Sequence, residues 1–392
     1  MAKINSITLW IIYSLGFTAV TAFSQTPDSL LNKLSEAEKK AGWILLFDGV
    51  DKDAHWRVGE KGTSNNWIVE DKTLASPNLA KDLFSKEAYD NFEYSLEWKV
   101  NRAGNSGVFF RVNPDVGRFC SSSEYGILDD ENGVDRTAMG HMPGQTSMPI
   151  KRTAANYDLY PTTKNGGNDS AYVGVAKPFG QWNQGVIWAN GKFIEHWLNG
   201  QKVVDYELFT ADWIKRYQAS KYYLAAQCAT YPDAWSRSEQ GLLGMQDHGD
   251  SALVWFRNIK IRPFVPGSKL NSPLMTPAGG KFSGPVQVKL DAAVTGAQIR
   301  YTLDGSDPTS TSPLYTSTIA VAKSGSLKAR TYRERFLASD VMGGDFILDG
   351  NVSVRSPAFS PDPKASSQGA KMRKANGAVG AAMSTVLFPI SE

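Results

Sequence analysis

Cysteine and histidine are both scarce in this chain of 392 residues, which has two cysteines and four histidines. It contains no Cys-x-x-Cys pair, no His-Glu-x-x-His motif and no EF-hand loop, so ligand spacing reveals no metal site. A Gly-x-Ser-x-Gly elbow, a phosphate loop and a dinucleotide fingerprint are also absent. These absences remove the sequence signatures of many hydrolases and nucleotide-dependent enzymes. A divalent ion held by scattered carboxylates and carbonyls leaves no such signature, so a metal cofactor stays an open alternative.

The chain has little excess of positive over negative charge, because its formal net charge is only +3. That excess lies entirely in residues 351–392, which carry five basic and two acidic side chains, 5 − 2 = +3. The rest of the chain is therefore neutral and shows no electrostatic footprint for nucleic acid. We expect no nucleic-acid partner.

Long hydrophobic runs are missing beyond the N-terminus. An apolar run from Ile7 to Val20 is followed by Ala22 and Ser24, the small residues that precede a cut before Gln25. This pattern predicts a signal peptide over residues 1–24, because the run is short for an uncleaved membrane anchor. We therefore expect a secreted or periplasmic protein with no later membrane span. In an oxidising compartment Cys120 and Cys228 can pair if the fold brings them together.

Short runs rich in aromatic and β-branched residues dominate the chain after the N-terminus, with a leading helix predicted over residues 25–41 from the helical spacing of Ser29 to Ala41. Strands are predicted at Trp43–Phe47, Trp67–Glu70, Phe92–Val100, Gly107–Val112, Glu124–Leu128, Trp182–Ala189, Phe193–Leu198, Lys202–Tyr206 and Val254–Arg262. The Asn-Gly pairs at 190–191 and 199–200 predict two hairpins. Together these features indicate an all-β sandwich or barrel.

Proline and glycine after the last of these strands predict a linker over residues 265–272. A first β domain then covers residues 42–264 and a second covers residues 273–348. Strands of the second are predicted at Val286–Leu290, Gln298–Leu303, Leu314–Tyr315 and Leu327–Tyr332. Residues 349–392 are rich in Ser, Ala, Gly, Pro and Lys, and predict a mobile basic tail.

Two charged residues stand inside apolar strands, where an unpaired charge would be costly. Arg111 alternates with Phe110 and Val112, so we expect its side chain on the face opposite theirs. Glu124 opens a strand, where burial against a sheet face can make a carboxylate a proton acceptor. The alternative is an ion pair between Arg111 and Glu124 that only holds two strands together.

Three histidines have a context that can be interpreted. His248 lies on the polar turn Gln246-Asp247-His248-Gly249 before an aromatic strand, where it could exchange protons; ordinary turn chemistry is the alternative. His196 shares a strand face with Ile194 and Leu198, which is equally typical of a hydrogen-bonded core histidine. His141 lies in a long polar loop that could line a cleft.

The motifs of residues 42–264 resemble those of the 3-keto-disaccharide hydrolase family. They are Gly42-Trp-Ile-Leu-Leu-Phe-Asp-Gly49, Asn91-Phe-Glu-Tyr-Ser-Leu-Glu-Trp98, Gly104-Asn-Ser-Gly-Val-Phe-Phe-Arg111, Glu124-Tyr-Gly-Ile-Leu-Asp129, Tyr157-Asp-Leu-Tyr160, Glu195-His-Trp-Leu-Asn-Gly200, Gln246-Asp-His-Gly249 and Trp255-Phe-Arg-Asn-Ile259. The resemblance implies a concanavalin-like jelly roll that acts on glycosides oxidised at the sugar 3-position. One departure is Gly126, where the family pattern usually has glutamine, so a substrate contact is missing.

The implied chemistry is removal of the C2 proton, elimination of the C1 substituent and addition of water. By position, Glu124 and His248 are the predicted acid and base, while Arg111, Gln246, His196, Tyr125, Asp247 and His141 are predicted to bind substrate. Relatives that act as lyases or hydratases, some of them metal-assisted, leave the outcome after elimination open. A non-catalytic, lectin-like carbohydrate-binding protein is the competing class, because this fold serves both.

The second domain resembles the chitobiase and β-hexosaminidase C-terminal domain. Its matching segments are Thr276-Pro-Ala-Gly-Gly-Lys-Phe-Ser-Gly-Pro285, Ile299-Arg-Tyr-Thr-Leu-Asp-Gly-Ser-Asp-Pro308 and Ser312-Pro-Leu-Tyr315. This resemblance implies a small immunoglobulin-like β-sandwich with an accessory role.

Overall fold

The computed structural model describes residues 27–62, 66–76, 80–132, 149–163, 175–231, 234–249 and 251–349. Twenty strands and four short α-helices are found in them. The strands are β1 (Ile44–Leu45), β2 (Trp56–Val58), β3 (Ile68–Glu70), β4 (Thr73–Ala75), β5 (Leu83–Tyr89), β6 (Phe92–Val100), β7 (Asn105–Val112), β8 (Ser123–Leu128), β9 (Asn183–Asn190), β10 (Phe193–Leu198), β11 (Gln201–Glu207), β12 (Gly241–Met245), β13 (Val254–Pro263), β14 (Leu274–Thr276), β15 (Gly280–Phe282), β16 (Val286–Asp291), β17 (Gln298–Thr302), β18 (Ile319–Val321), β19 (Gly325–Tyr332) and β20 (Met342–Leu348). The helices are α1 (Glu36–Lys40), α2 (Arg118–Ser121), α3 (Ala211–Ala219) and α4 (Lys221–Leu224).

The leading helix predicted from Ser29 to Ala41 forms only in part. A 3-10 turn over Asp28–Leu30 and the five-residue α1 take its place. Asn32 interrupts the segment with a positive φ of 51°, and its backbone N–H donates to Asn258 Oδ1 at 2.6 Å. Ser35 then begins α1 through a capping box with Glu38. A tertiary contact to β13 thus overrides the helical spacing.

Two sheets form the first sandwich. The larger has the order β11-β10-β9-β6-β13-β4-β3, with β1 also paired to β13, and the smaller has the order β2-β5-β12-β7-β8. All the pairings within these two sheets are antiparallel. A three-stranded sheet (β14-β16-β18) and a four-stranded sheet (β15-β20-β19-β17) follow in the chain. The predicted fold is confirmed: an all-β jelly-roll sandwich followed by a small immunoglobulin-like sandwich.

The first core lies between the two large sheets and is aromatic. Tyr94, Trp98 and Phe256 from the larger sheet pack toward Phe110 and Tyr125 from the smaller one, and all are almost fully buried. Burial of each such side chain contributes about 2 kcal/mol. A separate core that includes Val288, Leu327 and Phe346 belongs to the second sandwich. Within the described part of the chain, no helix is long and apolar enough to cross a membrane.

Buried charges link the two sandwiches at the outer face of the larger sheet. Glu195 on β10 accepts hydrogen bonds from Arg333 Nη2 at 2.9 Å and from Trp197 Nε1 at 2.8 Å. Glu93 on β6 accepts from Arg262 Nη2 at 2.9 Å and from the backbone N–H of Thr295 at 2.8 Å. The C-terminal sandwich therefore covers part of the outer face of the larger sheet.

Candidate functional site

The outer face of the smaller sheet carries Glu124. On β8, Tyr125 and Ile127 point into the core, so Glu124 and Gly126 point outward, as the period of two in a strand requires. Glu124 lies opposite Phe109 on β7, and Gly126 lies opposite Gly107. Gly107 therefore forms a glycine floor beneath the carboxylate, whereas Gly126 is covered by the segment of Arg152.

The Glu124 side chain is only 5% exposed and is held from two sides. Its Oε2 accepts a hydrogen bond from the Tyr222 hydroxyl at 2.9 Å. Its Oε1 lies over Gly107, at 2.6 Å from the position that a Cβ would take there. Burial, together with the nearby Glu124 carboxylate, raises the pKa of Tyr222 well above its ordinary value, so the phenol stays a donor. Glu124 is thus a fixed carboxylate with one oxygen directed over the glycine floor.

The polar turn after β12 begins beside Gly107. The backbone N–H of Gln246 donates to the Gly107 carbonyl at 2.9 Å, and Ser106 Oγ donates to the Gln246 carbonyl at 2.8 Å. The Gln246 side chain is 9% exposed, and its buried Oε1 has no hydrogen-bond partner among the described residues. His248 follows two residues later and is half-buried. The structure therefore brings Glu124 and Gln246 to one glycine, with His248 on the adjoining turn.

Asp247 fixes this turn. Its Oδ2 accepts from the Ala80 N–H at 2.8 Å and its Oδ1 from the Gly249 N–H at 2.9 Å. Its own N–H donates to Asp82 Oδ1 at 3.2 Å. Because its carboxylate is engaged with backbone donors, Asp247 shapes the turn that presents His248.

Two further charged residues, Asp82 and Arg118, lie on this face and were not predicted. They form an ion pair, and the Arg118 guanidinium stacks over Phe109, the residue opposite Glu124, at 4.4 Å from the ring centroid. Burial raises the pKa of Asp82 despite the nearby Arg118 charge. No local sequence signal marks Arg118, Asp82 or Tyr222, because only the tertiary fold brings them beside Glu124.

A disulfide joins Cys120 and Cys228 next to the site. Cys120 lies on α2, three residues before β8 begins, and Cys228 ends the 3-10 turn that follows α4, the helix of Tyr222. Both cysteines are buried. The bond therefore links the segment that leads into Glu124 to the segment that carries its hydrogen-bond donor.

Arg111 does not join the site. Its Nε donates to the Asp90 carbonyl at 3.0 Å and its Nη1 to the Gly191 carbonyl at 2.7 Å, and its ion pair is with Asp90 at 4.0 Å rather than with Glu124. Arg111 lies four residues beyond Gly107, about 13 Å along a strand. The alternative considered for these residues, an ion pair between Arg111 and Glu124, is therefore not formed.

Arg111 was also expected to point to the face opposite both Phe110 and Val112, and a bulge explains why it does not. The pairing of β12 with β7 shifts between Leu242 and Gly244, and Arg111 has a positive φ of 56°. Phe110 packs in the main core, whereas Val112 packs in a separate outer cluster. The extra residue therefore puts Phe110 and Val112 on opposite faces rather than on one.

Other predicted binding residues lie in the core or outside the described part of the chain. Tyr125 is 1% exposed, and its hydroxyl donates to the Trp197 carbonyl at 3.1 Å. His196 is fully buried against Phe110, Tyr125 and Tyr206, with Nδ1 at 2.9 Å from the Ala154 carbonyl. The core alternative for His196 is thus the one observed. His141 falls outside the described residues.

Gly126 is required by close packing. A Cβ there would lie 3.0 Å from the Arg152 carbonyl and 3.1 Å from Leu128 Cδ1. The same segment closes on β8 through the hydrogen bond from the Ala154 N–H to the Gly126 carbonyl at 2.8 Å. A glutamine at this position would displace that segment.

Among the residues described, no group of three or more His, Cys, Asp or Glu side chains could hold a metal ion.

His196 makes stability depend on pH. Burial lowers the pKa of its imidazole from 6.5 to about 4. In the unfolded chain the group binds its proton near pH 6.5, so stability is complete above that pH and is lost as pH falls toward about 4. We expect this histidine to contribute a loss on the order of 2 kcal/mol between pH 7 and pH 5. Urea unfolding of the wild type and of His196→Asn, whose amide can still donate to Ala154, measures it; equal pH slopes would contradict the assignment.

Gly107→Ala is expected to impair turnover more than stability. The new methyl group would collide with Glu124 Oε1, the end of a flexible side chain, so the carboxylate shifts while the backbone is retained. We expect kcat on a 3-keto-glucoside to fall by about tenfold to a hundredfold, as a misplacement of about 1 Å can cause. Gly284→Ala is the matched control, because a Cβ there meets nothing within 4 Å. Unchanged kcat in Gly107→Ala would show that the position of Glu124 is irrelevant.

Comparison with known proteins supplies the family context for this site. Residues 42–262 match the family model described as the 3-keto-alpha-glucoside-1,2-lyase-like domain. Residues 277–342 match the chitobiase/beta-hexosaminidase C-terminal domain. Both matches confirm the resemblances inferred from the motifs.

Individual relatives agree with the family match. A 3-keto-disaccharide hydrolase of Bacteroides thetaiotaomicron is 29% identical over 246 residues, which cover 56% of this chain and 78% of the relative. A crystal structure from Parabacteroides distasonis, provisionally named a glycosyl hydrolase, is 29% identical with a TM-score of 0.50 and covers 60% of this chain and 99% of that chain. The family match over residues 42–262 covers the first sandwich, which carries Glu124 and His248.

Proposed function

The chain belongs to the 3-keto-α-glucoside-1,2-lyase-like family, and on that premise we propose that it cleaves 3-keto-glycosides by eliminating the C1 substituent and then adding water. It is a glycosidase-like enzyme of the hydrolase or lyase kind. The observation that carries the finer proposal is the buried Glu124 carboxylate, oriented by Tyr222 over Gly107.

The keto group makes this route chemically accessible. It acidifies the neighbouring C2–H, so a base can remove that proton and leave an enolate. The enolate electrons then form the C1–C2 double bond and expel the C1 oxygen, which takes a proton from an acid. Addition of water across that double bond, with OH at C1 and H at C2, returns the sugar, and the net reaction is hydrolysis.

Glu124 is the base in this proposal. Its Oε1 lies directly over Gly107, which has no side chain of its own. The Tyr222 hydroxyl holds Oε2 and fixes the direction of the carboxylate. A positioned carboxylate contributes about 10²- to 10⁴-fold as a general base.

His248, Gln246 and Arg118 fill the remaining roles. His248, on the turn beside Gln246, is the acid that protonates the leaving oxygen. The buried Gln246 Oε1 can accept a hydrogen bond from a sugar hydroxyl, which satisfies an atom that the protein leaves unpaired. The Arg118 charge, held over Phe109, is placed to stabilise the enolate oxygen.

A chromogenic assay tests the proposal. The full chain is mixed with 4-nitrophenyl 3-keto-glucoside and with ordinary 4-nitrophenyl glucoside, each with and without chelator. We expect nitrophenol from the keto substrate alone; a chelator-sensitive rate would add a metal requirement. Free 3-keto-glucose among the products indicates a hydrolase, whereas the unsaturated keto sugar indicates a lyase. Sugar binding without release from any keto substrate would favour the carbohydrate-binding alternative.

Export is part of the same proposal. The N-terminal sequence supports a cleaved signal peptide, and export would expose Cys120 and Cys228 to an oxidising compartment that preserves their disulfide.

A further inference from the structure

A second cavity opens on the opposite side of the sandwich from Glu124. It has a volume of about 610 Å³ and lies on the outer face of the larger sheet, where Lys99 of β6 and both Trp255 and Arg257 of β13 project away from the core. Trp182 completes the floor, and the β3–β4 turn with Glu70, Asp71 and Lys72 forms the rim. The volume is in the range of small-molecule sites. The aromatic core separates this cavity from the catalytic face.

Arg257 carries an unsatisfied donor in this cavity. Its side chain is 7% exposed, and its Nε donates to Glu97 Oε2 at 2.7 Å. The other oxygen of that carboxylate accepts from Asn258 Nδ2 at 2.8 Å, so Glu97 does not form a two-pronged pair with Arg257. The buried Nη2 has no hydrogen-bond partner within the described ranges. A buried charged donor without an acceptor is costly, which points to an acceptor from outside the chain.

Lys99 adds a second positive charge at the same place. Its ammonium lies 4.7 Å from the Trp255 ring centroid and 5.1 Å from that of Trp182, and the Arg257 guanidinium lies 4.0 Å from the Trp182 centroid. Lys99 forms no ion pair with any carboxylate of the described residues. Lys99 and Arg257 thus share one indole ring, and of the two only Arg257 has a carboxylate partner, Glu97, so an anion in the cavity would compensate the Lys99 charge.

We propose that this cavity binds an acidic sugar, specifically a hexuronate residue. Its carboxylate would accept hydrogen bonds from Arg257 Nη2 and Lys99, while its hydroxyls would donate to Glu70 and Asp71 at the rim. The rim carboxylates disfavour ligands with several negative charges, and a neutral sugar would leave Lys99 without a compensating charge. One carboxylate on a polyhydroxylated ring matches both features. The site is non-catalytic and would hold a chain that bears uronate units.

Calorimetric titration of the full chain tests this site, with glucuronate, glucose and acetate as probes. Glucuronate is expected to bind saturably, and at least about tenfold more tightly than either glucose or acetate. Lys99→Met is expected to weaken glucuronate binding by about tenfold and to leave turnover of the 3-keto-glucoside unchanged. Arg257 is kept, because its removal would leave Glu97 buried without its charge partner. Lys323→Met, at an exposed position in the second sandwich, serves as the matched control.

Three results would overturn the inference. Absence of saturable glucuronate binding removes the site. Acetate binding as tightly as glucuronate indicates an adventitious ion only, and glucuronate affinity unchanged in Lys99→Met places the sugar elsewhere. Since the readout is binding and not turnover, the inference can fail while the proposed reaction stands, and the reverse also holds.

Discussion

Glu124→Gln is expected to lower kcat on a 3-keto-glucoside by about 10³-fold, within the range of general acid–base catalysis. An amide cannot take the C2 proton, although its oxygen can still accept the hydrogen bond from Tyr222. The change removes the base while the volume and the local contacts remain. Steady-state kinetics and thermal unfolding of both proteins separate the loss of chemistry from a loss of folding.

Glu87→Gln is the matched control for this variant. Glu87 lies on β5 of the same sheet but is exposed, and we expect its removal to leave kcat unchanged. If Glu124→Gln kept wild-type kcat with the same unfolding temperature, Glu124 would not be the base.

Removal of the disulfide is expected to cost about 4 kcal/mol of unfolding free energy, because the bond joins residues separated by 108 positions and closing so long a loop restricts the unfolded chain. The double variant Cys120→Ala with Cys228→Ala avoids a new buried hydroxyl. Turnover should fall as well, since the bond links the segment before Glu124 to the segment of Tyr222. Guanidinium unfolding and kcat of the oxidised wild type and of the variant measure the two effects.

Reduction of the wild type supplies the control for the disulfide. A reducing agent should bring the wild type to the stability of the double variant and should leave the variant itself unchanged. A variant as stable as the oxidised wild type would mean that packing around α2, and not the covalent bond, holds this segment.

The sequence pattern predicts strands well where one face meets the core and the other meets a polar layer. Both β6 and β10 have the predicted bounds for this reason. By contrast, β12 was missed because both of its faces are apolar: Leu243 and Met245 pack in the main core and Leu242 in the outer cluster. The predicted strand at Leu314–Tyr315 is wrong, since Leu314 forms only an isolated bridge with Arg300.

Glu124 on β8 and Gln246 on the turn after β12 could be predicted as site residues, because both lie in recognisable motifs. The position of Arg111 could not be predicted, because a single bulge residue reverses the alternation of strand faces and the amino-acid sequence does not reveal the bulge. Arg118 and Tyr222 could not be found in this way, since they lie on short helices whose contacts with the sheet depend on the tertiary fold.

Deuterium at C2 of the substrate provides the most direct measurement of the proposed chemistry. With a 4-nitrophenyl 3-keto-glucoside deuterated at C2, we predict slower nitrophenol release than from the protiated substrate and a product sugar that has exchanged its C2 deuterium for solvent hydrogen. Glu124→Gln should suppress both nitrophenol release and exchange. Equal rates for the two substrates, together with full retention of deuterium in the product, would contradict C2 proton abstraction and with it the role of Glu124.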